Sequence, residues 1–520
     1  MSGNDDPERP DVHARGAATY RQAVSDPISG DPSPAMPPTS TDPAVGSRRA
    51  TTWPAQLPDT VGALRASGHV QRNVKAELRE NLLELMRAGK PRFPGVVGFD
   101  DSVLPDLERA LLAGHDLVLL GERGQGKTRL IRTIVGLLDE WTPVIDGAEL
   151  NEHPYDPITP ASKRRVAELG DDLPVAWVHR DERYAEKLAT PDTSVGDLIG
   201  DVDPMKVAEG RTLGDPETIH FGLVPRMHRG IIAVNELPDL AERIQVALLN
   251  VLEERDVQVR GYVLRLPLDV LLVASANPED YTNRGRIITP LKDRFGAEIR
   301  THYPADLDLE IELVQQEADL QAAVPEHLLE VLARFTRAVR ESSAVDQRSG
   351  VSARFSIAAA ETVAAAALRR STLSGEDGAA VARVGDTEVI TSTLRGKVEF
   401  EADGEGREIE LLDHLLRRSV AETWRSRLGG VDLSGFVAMV EEGQGIWTGD
   451  TVPSRDLLAQ LGTVSGLSLV LQRLGFDEVP SPAEAASAVE FALEGLHLTR
   501  RLAKDVLDDG RTVYGGDTGA

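Results

Sequence analysis

The glycine-rich stretch GERGQGKT, Gly121–Thr128, constrains the fold of this chain more than any other part of its sequence. It matches the pattern G-x-x-x-x-G-K-[ST] in full. The apolar run DLVLL, residues 116–120, precedes it and is typical of a buried strand, while RLIRTIVGLL, residues 129–138, follows it with the pattern of a helix. A strand, a glycine loop and a helix in this order predict a parallel α/β sheet that binds its ligand at the loop.

The residue types in this loop suit phosphate binding. Its glycines let the backbone curl so that successive N–H groups face phosphate oxygens, and the helix N-terminus adds its positive dipole end. Lys127 is suited to neutralise the β- and γ-phosphates, and Thr128 to offer its hydroxyl to Mg²⁺. The alternative, a chance glycine-rich turn before a helix, is disfavoured by the flanking strand. The sequence thus predicts a site for ATP and Mg²⁺ formed by Gly121, Glu122, Arg123, Gly124, Gln125, Gly126, Lys127 and Thr128.

A second buried strand, GIIAV, ends in Asn235 and Glu236. Strands that carry the metal-binding and water-activating residues of P-loop ATPases usually end in Asp-Glu. Asn235 can accept a hydrogen bond from Mg²⁺-bound water through its carbonyl oxygen, but it brings no charge to the cation, so weakened metal affinity is expected. Glu236 is predicted to orient and deprotonate the attacking water. The alternative is a glutamate that only stabilises a helix N-terminus.

Three further residues are candidates for the same site. DVLLVASAN delivers Asn277 from the end of another strand, where it could hold the attacking water beside the γ-phosphate; otherwise it is an Asn-Pro turn residue. Arg294 in TPLKDRFGAEI could stabilise charge on a transferring phosphoryl group, and otherwise forms a surface ion pair. Arg354 begins the helix ARFSIAAAETV, where a lid could carry it onto the nucleotide.

Composition excludes several other classes. A formal net charge of −27, from 57 basic and 84 acidic residues, argues against general nucleic-acid affinity. The chain has no cysteine, so disulfides and thiolate chemistry are excluded. No apolar run approaches the roughly 20 residues that a membrane span requires, and the N-terminus lacks the apolar segment of a signal peptide. We therefore expect a cytoplasmic protein with no membrane association.

The chain divides by composition into four parts. Residues 1–58 contain ten prolines and only two aromatic residues, so this segment is predicted to be a disordered tail. Strands alternate with helices over 59–305, which predicts a three-layer α/β domain with a parallel sheet. Residues 306–372 are predicted to form an α-helical lid. Residues 373–520 are predicted to form a mainly helical extension with one short hairpin.

Two local predictions concern that extension. GKVEFEADGEGREIELL, residues 396–412, has the pattern of a hairpin that runs into a helix. The last helix should begin after Ser481 as N-cap, with Pro482 at its first position and Glu484 closing a capping box, and should stop at Gly510.

Several motifs in order resemble the AAA+ ATPases, over roughly residues 90–372. The phosphate loop is followed by the Glu-ended strand, a predicted hairpin VQVRGYVLRL with Arg260-Gly261 at its turn, ASANPED, LKDRFG and a later Ser-x-Arg. The segments FGLVPRMHRGIIAVNELPDL and TSVGDLIGDVDPMKVAEGRTLGDPETIHFG are most similar to the magnesium-chelatase ATPase subunit and its MoxR-type relatives, the latter segment standing where that clade has its helix-2 insert.

The resemblance implies roles for these residues. It makes Asn277 sensor 1, Arg294 an arginine finger that acts on a neighbouring subunit's nucleotide, and Arg354 sensor 2. It also implies a homo-oligomeric ring, typically a hexamer, and a partner protein with a von Willebrand factor A domain that acts in trans. The extension from about residue 373 has no counterpart in the resemblance.

Three functions are compatible with the sequence. The first is a ring-forming AAA+ ATPase that hydrolyses ATP to remodel a protein partner or to assist metal insertion in a chelatase-like complex. The second is an ATP-binding assembly scaffold with little or no hydrolysis, which the missing Asp at position 235 would favour. The third is a nucleic-acid motor or a sigma-54-type activator, disfavoured by the acidity of the chain and by the lack of a GAFTGA loop.

Overall fold

A computed structural model describes most of the chain beyond residue 56. The described residues are 57–209, 218–253, 257–259, 262–264, 266–278, 286–346, 350–401, 406–441, 445–462, 464–476, 479–507 and 510–515. The predicted disordered tail, residues 1–58, lies outside them apart from Leu57 and Pro58. No helix among the described residues is long and apolar enough to cross a membrane.

Strands and short helices alternate up to residue 300. The strands are β1 Leu117–Leu120, β2 Trp141–Ile145, β3 Val175–His179, β4 Tyr184–Leu188, β5 Gly200–Val202, β6 Ile219–Phe221, β7 Gly230–Asn235, β8 Val257–Val259, β9 Tyr262–Leu264, β10 Val270–Ala276 and β11 Ala297–Arg300. The helices are α1 Val61–Ala66, α2 Val74–Arg87, α3 Val103–Ala113, α4 Lys127–Ile134, α5 Pro160–Leu169, α6 Val195–Leu198, α7 Pro204–Ala208, α8 Leu223–Arg226, α9 Glu242–Glu253 and α10 Thr289–Arg294.

Five of these strands form the central sheet. Its order is β11-β1-β10-β7-β4, and every neighbouring pair is parallel. Strand β1 shows why both faces must be covered: Leu117 and Leu119 join one hydrophobic core, while Val118 and Leu120 join the other. All four side chains are buried, as expected of a strand with helices on both faces. The predicted parallel sheet and three-layer α/β fold are confirmed.

The same part of the chain also forms smaller, two-stranded antiparallel sheets. β8 pairs with β9 through Val259 and Tyr262, which confirms the hairpin predicted there; its turn, Arg260-Gly261, lies outside the described residues. β5 and β6 pair within the predicted helix-2 insert, of which residues 210–217 are not described.

The chain beyond residue 306 is mainly helical, as predicted. Its helices are α11 Leu307–Glu317, α12 Glu326–Arg340, α13 Ala353–Leu373, α14 Val389–Leu394, α15 Glu408–Leu428, α16 Ser434–Glu441, α17 Ser454–Leu461, α18 Leu467–Arg473 and α19 Pro482–Leu498. Phe335 and Phe355 of the predicted lid share one hydrophobic core with Trp424 and Phe491 of the predicted extension. The boundary between 372 and 373 stays a prediction, and helices on both sides of it pack together.

One local prediction in the extension is wrong. Among the described residues of 396–412 there is no hairpin: Phe400 instead forms an isolated antiparallel bridge with Val345, and α15 begins at Glu408. The segment with alternating polar and apolar residues therefore pairs with Val345, which is distant in the chain, and not with a neighbouring strand.

The last helix begins as predicted and ends early. Ser481 and Glu484 form the predicted capping box, but the helix ends at Leu498 rather than at Gly510. The residues beyond it form strands β13 Ala503–Val506 and β14 Arg511–Gly515, which complete an antiparallel sheet with β12 Ile446–Gly449. β13 and β14 are neighbours in the chain and pair with each other, so the prediction missed them by extending the helix to Gly510. The pairing of β12 with β14 joins distant parts of the chain, and no local pattern predicts it.

Candidate functional site

Most of the predicted site residues converge because the central strands run parallel. Their carboxyl ends meet at one edge of the sheet, the edge at which open α/β sheets bind ligands. The phosphate loop follows β1, Asn277 follows β10, and Asn235 ends β7. The backbone N–H of Gly121 donates to the carbonyl of Ala276 at 3.1 Å, which joins the first residue of the loop to the residue before Asn277.

The loop itself is held in a curled conformation. Gly124 and Gly126 have φ angles of +74° and +72°, a backbone region that favours glycine. The Lys127 side chain is buried, and its ammonium donates to the carbonyls of Gly121 and of Glu122, the latter at 2.8 Å. The ammonium group of Lys127 thus lies inside the loop, and its predicted contact with the phosphates stays a prediction.

Gln125 fixes the loop to the sheet. Its Oε1 accepts hydrogen bonds from the Glu122 backbone N–H at 3.0 Å and from Thr301 Oγ1 at 2.9 Å. Thr301 directly follows β11, the neighbour of β1 in the sheet. Gln125 is a variable position of the motif, and no sequence pattern predicts Thr301.

Asn235 and Glu236 occupy two different environments. Asn235 is buried: Ser275 Oγ donates to its Oδ1 at 3.0 Å, and its Nδ2 donates to Glu186 Oε1 at 2.6 Å. Glu236 is half-buried and adopts a left-handed backbone conformation, with φ +54° and ψ +47°. A non-glycine residue in this region costs of order 1–3 kcal/mol, and such strain clusters at functional sites.

The predicted lid approaches the phosphate loop through the residues just before α13. An added Cβ at Gly124 would lie 2.1 Å from the Ser352 Cβ. Tyr303, which precedes the predicted lid, also contacts the loop, because its OH donates to the Arg123 carbonyl at 2.9 Å. Arg354 lies at the start of α13 and is exposed, two residues after Ser352. The helix that carries Arg354 therefore starts at the loop.

Arg294 lies at the surface of this chain. It ends α10, is exposed, and forms an ion pair with Glu253 at the end of α9. The surface ion pair that the sequence analysis kept as an alternative is thus present. An arginine that acts on a neighbouring subunit would also be exposed, so its predicted role stays a prediction.

The comparisons with known proteins agree on the fold. The family model described as Sigma-54 interaction domain matches residues 212–294. Among curated proteins, magnesium-chelatase subunit ChlI of Anabaena variabilis is 27% identical over 217 residues, which are 41% of this chain and 60% of that protein. Subunit ChlI-1 of Arabidopsis thaliana is 28% identical over 245 residues, 45% of this chain and 53% of that protein.

Similarity to solved structures is weaker. A model of the complex between subunits BchI and BchD of magnesium chelatase is matched at 20% identity and a TM-score of 0.32, over 62% of this chain and 98% of that chain. The curated relatives above are matched over less than two thirds of their own length. The parallel sheet, the phosphate loop at its carboxyl edge and the sequence matches identify this chain as a protein of the α/β P-loop AAA+ fold, related to the ChlI subunits of magnesium chelatase.

Proposed function

We propose that this protein binds ATP with Mg²⁺ at the phosphate loop and hydrolyses it to do conformational work on a protein partner or in metal insertion. The observation that carries the proposal is the convergence of a complete phosphate loop, Glu236 and Asn277 at one edge of a parallel sheet. The relatedness to magnesium-chelatase subunits supports the chelatase-like context. The MoxR-type relationship is part of the same proposal.

Each residue has a distinct task in this proposal. Lys127 leaves its carbonyl partners to contact the β- and γ-phosphates, while the N–H groups of the loop bind the remaining oxygens. Asn277 holds the attacking water, and Glu236 accepts its proton. The Thr128 hydroxyl and the Asn235 amide oxygen belong to the class of oxygen donors that Mg²⁺ prefers, so the residues present fit this cation. When bound, Mg²⁺ supplies positive charge to the phosphate oxygens.

The ring belongs to the proposal. Arg294 is exposed, so a second copy of the chain could receive it beside its own nucleotide. Arg354 would respond to nucleotide in its own chain, because its helix begins at the loop. We propose a homo-oligomeric ring, hexameric by the resemblance. We also propose a von Willebrand factor A domain protein as partner in trans.

One observation favours the scaffold as second candidate. Both polar atoms of the Asn235 side chain are engaged by Ser275 and Glu186, and position 235 carries no charge. A weak metal contact would slow hydrolysis while leaving ATP binding intact.

The third function, a nucleic-acid motor or a sigma-54-type activator, has less support. The match to the Sigma-54 interaction domain is confined to residues 212–294, and the acidity of the chain disfavours binding to nucleic acid.

The test of the proposal compares two lysine variants. Lys127→Ala should lose ATP binding by isothermal titration and should release no phosphate above background. Lys163→Ala, which removes an exposed lysine of α5, is the matched control and should behave as the wild type. Binding without phosphate release in the wild type would select the scaffold, and wild-type binding that survives Lys127→Ala would refute the loop as the nucleotide site.

A further inference from the structure

A carboxylate that no motif marks lies beside Asn235. Glu186 is on β4, the strand next to β7, in the register that places Glu186 opposite Ala233 and Leu188 opposite Asn235. Glu186 and Asn235 therefore point to the same face of the sheet, since side chains alternate along a strand. Their side chains meet at 2.6 Å, from Asn235 Nδ2 to Glu186 Oε1.

The two residues are chemically complementary. An Asp at position 235 would place two carboxylates within hydrogen-bond distance, an arrangement in which like charges oppose each other. Asn235 replaces that repulsion with a donor–acceptor pair, and Ser275 Oγ fixes the amide orientation by donating to Oδ1 at 3.0 Å. The charge missing from position 235 is thus present one strand away, in contact with the same side chain.

The carboxylate also faces the helix of the phosphate loop. Glu186 Oε2 accepts from Arg132 Nε at 3.0 Å and from Tyr184 OH at 3.1 Å. Arg132 is on α4, one turn after Thr128 and on the same helix face. The hydrogen bond from Arg132 to Glu186 raises the pKa of that guanidinium. Glu186 is therefore linked both to Asn235 and to the helix that presents Thr128.

We propose that Glu186 is an outer carboxylate of the divalent-cation site and supplies the negative charge that Asn235 lacks. This inference rests on the proposed function, since the cation would accompany the nucleotide. Outer partners of this kind orient the groups that contact a metal, and their loss typically lowers metal affinity about 10–100-fold. A purely structural role, an ion pair with Arg132, would leave the cation requirement unchanged.

The test measures cation-dependent nucleotide binding rather than turnover. The probe is the fluorescent N-methylanthraniloyl derivative of a non-hydrolysable ATP analogue, titrated in EDTA and at increasing free Mg²⁺. Glu186→Gln should bind it as the wild type does in EDTA, yet should need about 10–100-fold more Mg²⁺ for the half-maximal change in affinity. Adding Asn235→Asp to Glu186→Gln should restore the wild-type requirement, because the charge returns to position 235.

The matched control is Glu298→Gln. Glu298 is on β11, the opposite edge strand of the same sheet, and it also pairs with basic side chains, Lys292 and Arg300. This variant should keep the wild-type Mg²⁺ requirement. An unchanged requirement in folded Glu186→Gln would overturn the inference and leave the proposed function standing. Failure of the wild type to bind the probe in either condition would instead refute the proposed function, and the inference with it.

A second variant covers the case in which Glu186→Gln does not fold. Asn235→Asp places a second carboxylate against Glu186, so its Tm in EDTA with the probe should fall below that of the wild type. Mg²⁺ should then raise its Tm by more than it raises the wild-type value. Equal Tm values in EDTA together with equal Mg²⁺ responses would overturn the role of Glu186.

Discussion

Gly124 of the phosphate loop packs directly against Ser352, the residue before α13. A Cβ built on Gly124 would lie 2.1 Å from the Ser352 Cβ, well inside any van der Waals contact, and Gly124 has a φ of +74°. The loop can therefore carry no side chain at this position while the helix stays where it is. The contact connects the proposed nucleotide site to the helix that carries Arg354 in its first turn.

Gly124→Ala should destabilise the protein more than Gly126→Ala does. Both residues have positive φ, so each alanine carries a backbone cost of about 1–2 kcal/mol. Only at Gly124 does the new Cβ also meet a neighbour, because no described residue lies within 4 Å of the corresponding point on Gly126. Thermal unfolding without nucleotide measures the difference. Equal losses of Tm in the two variants would show that Ser352 does not restrict the space at Gly124.

Arg294→Ala should lose hydrolysis and keep ATP binding. An arginine finger contributes about 10³–10⁵-fold to turnover, so its loss should leave almost no phosphate release. Because Arg294 is proposed to act on a neighbouring subunit, mixing Arg294→Ala with Lys127→Ala should recover part of the activity, through sites that combine an intact loop with an intact arginine.

Arg300→Ala is the control for that experiment. Arg300 is also exposed and paired with a glutamate, at the end of β11, so its variant should keep wild-type activity. Full activity of Arg294→Ala would limit this residue to its ion pair with Glu253. Absence of recovery in the mixture, with both variants able to assemble, would argue against a shared site.

Two consecutive arginines of α13 should differ sharply in their effect on stability. Arg370 is buried and binds the buried Asp386 at 3.1 Å, so Arg370→Ala leaves that carboxylate without its ion-pair partner, at a cost of about 3–5 kcal/mol. Arg369 pairs with Asp450 at the surface, and Arg369→Ala should cost less than about 1 kcal/mol. Denaturant unfolding distinguishes the two. Similar losses of unfolding free energy in the two variants would mean that the buried ion pair does not stabilise the packing of α13 against the segment around Asp386.

His327 should make stability fall with acid. Burial, aided by the charge of Arg427, lowers its pKa to about 3, against 6.5 for an ordinary histidine. Its two ring nitrogens have no hydrogen-bond partner among the described residues, and the ring packs against Phe476 and Phe491. Between pH 6.5 and 3 the unfolded chain binds a proton that the folded protein does not bind. The contribution of His327 is therefore complete above pH 6.5 and is lost as the pH falls, by about 1.4 kcal/mol per pH unit.

His327→Phe removes the ring that binds a proton in the unfolded chain. Unfolding free energies at pH 7.0 and pH 5.5 should show a smaller loss for the variant than for the wild type, by roughly 1–2 kcal/mol. Parallel losses in the two proteins would contradict the assignment of His327 as a buried neutral ring.

Sequence patterns correctly predicted those parts of the fold that depend on residues close together in the chain. The phosphate loop, the hairpin of β8 and β9 and the capping box at Ser481 each depend on residues within a few positions of one another. The bridge between Val345 and Phe400 and the pairing of β12 with β14 depend on partners far apart in the chain. Alternation of polar and apolar residues indicates a strand but does not identify its partner, which is why a hairpin was predicted at 396–412.

The same limit applies to the candidate site. Gly121–Thr128, Asn235, Glu236 and Asn277 follow from motifs at strand ends, and the parallel sheet brings them to one edge. Glu186 and Thr301 belong to no motif, and only the register of neighbouring strands places them at the site. The local sequence offers one indication of Glu186. It is a charged residue within the short strand YAEKL, residues 184–188, where it is half-buried.

The most direct test of the central claim is phosphate release by the wild type and by Glu236→Gln, measured with saturating ATP and Mg²⁺ and with nucleotide binding determined on the same samples. The proposed role of Glu236 as general base predicts that both proteins bind ATP and that the variant releases phosphate about 10²–10⁴-fold more slowly. Equal rates of phosphate release, at equal ATP occupancy, would contradict hydrolysis at this site.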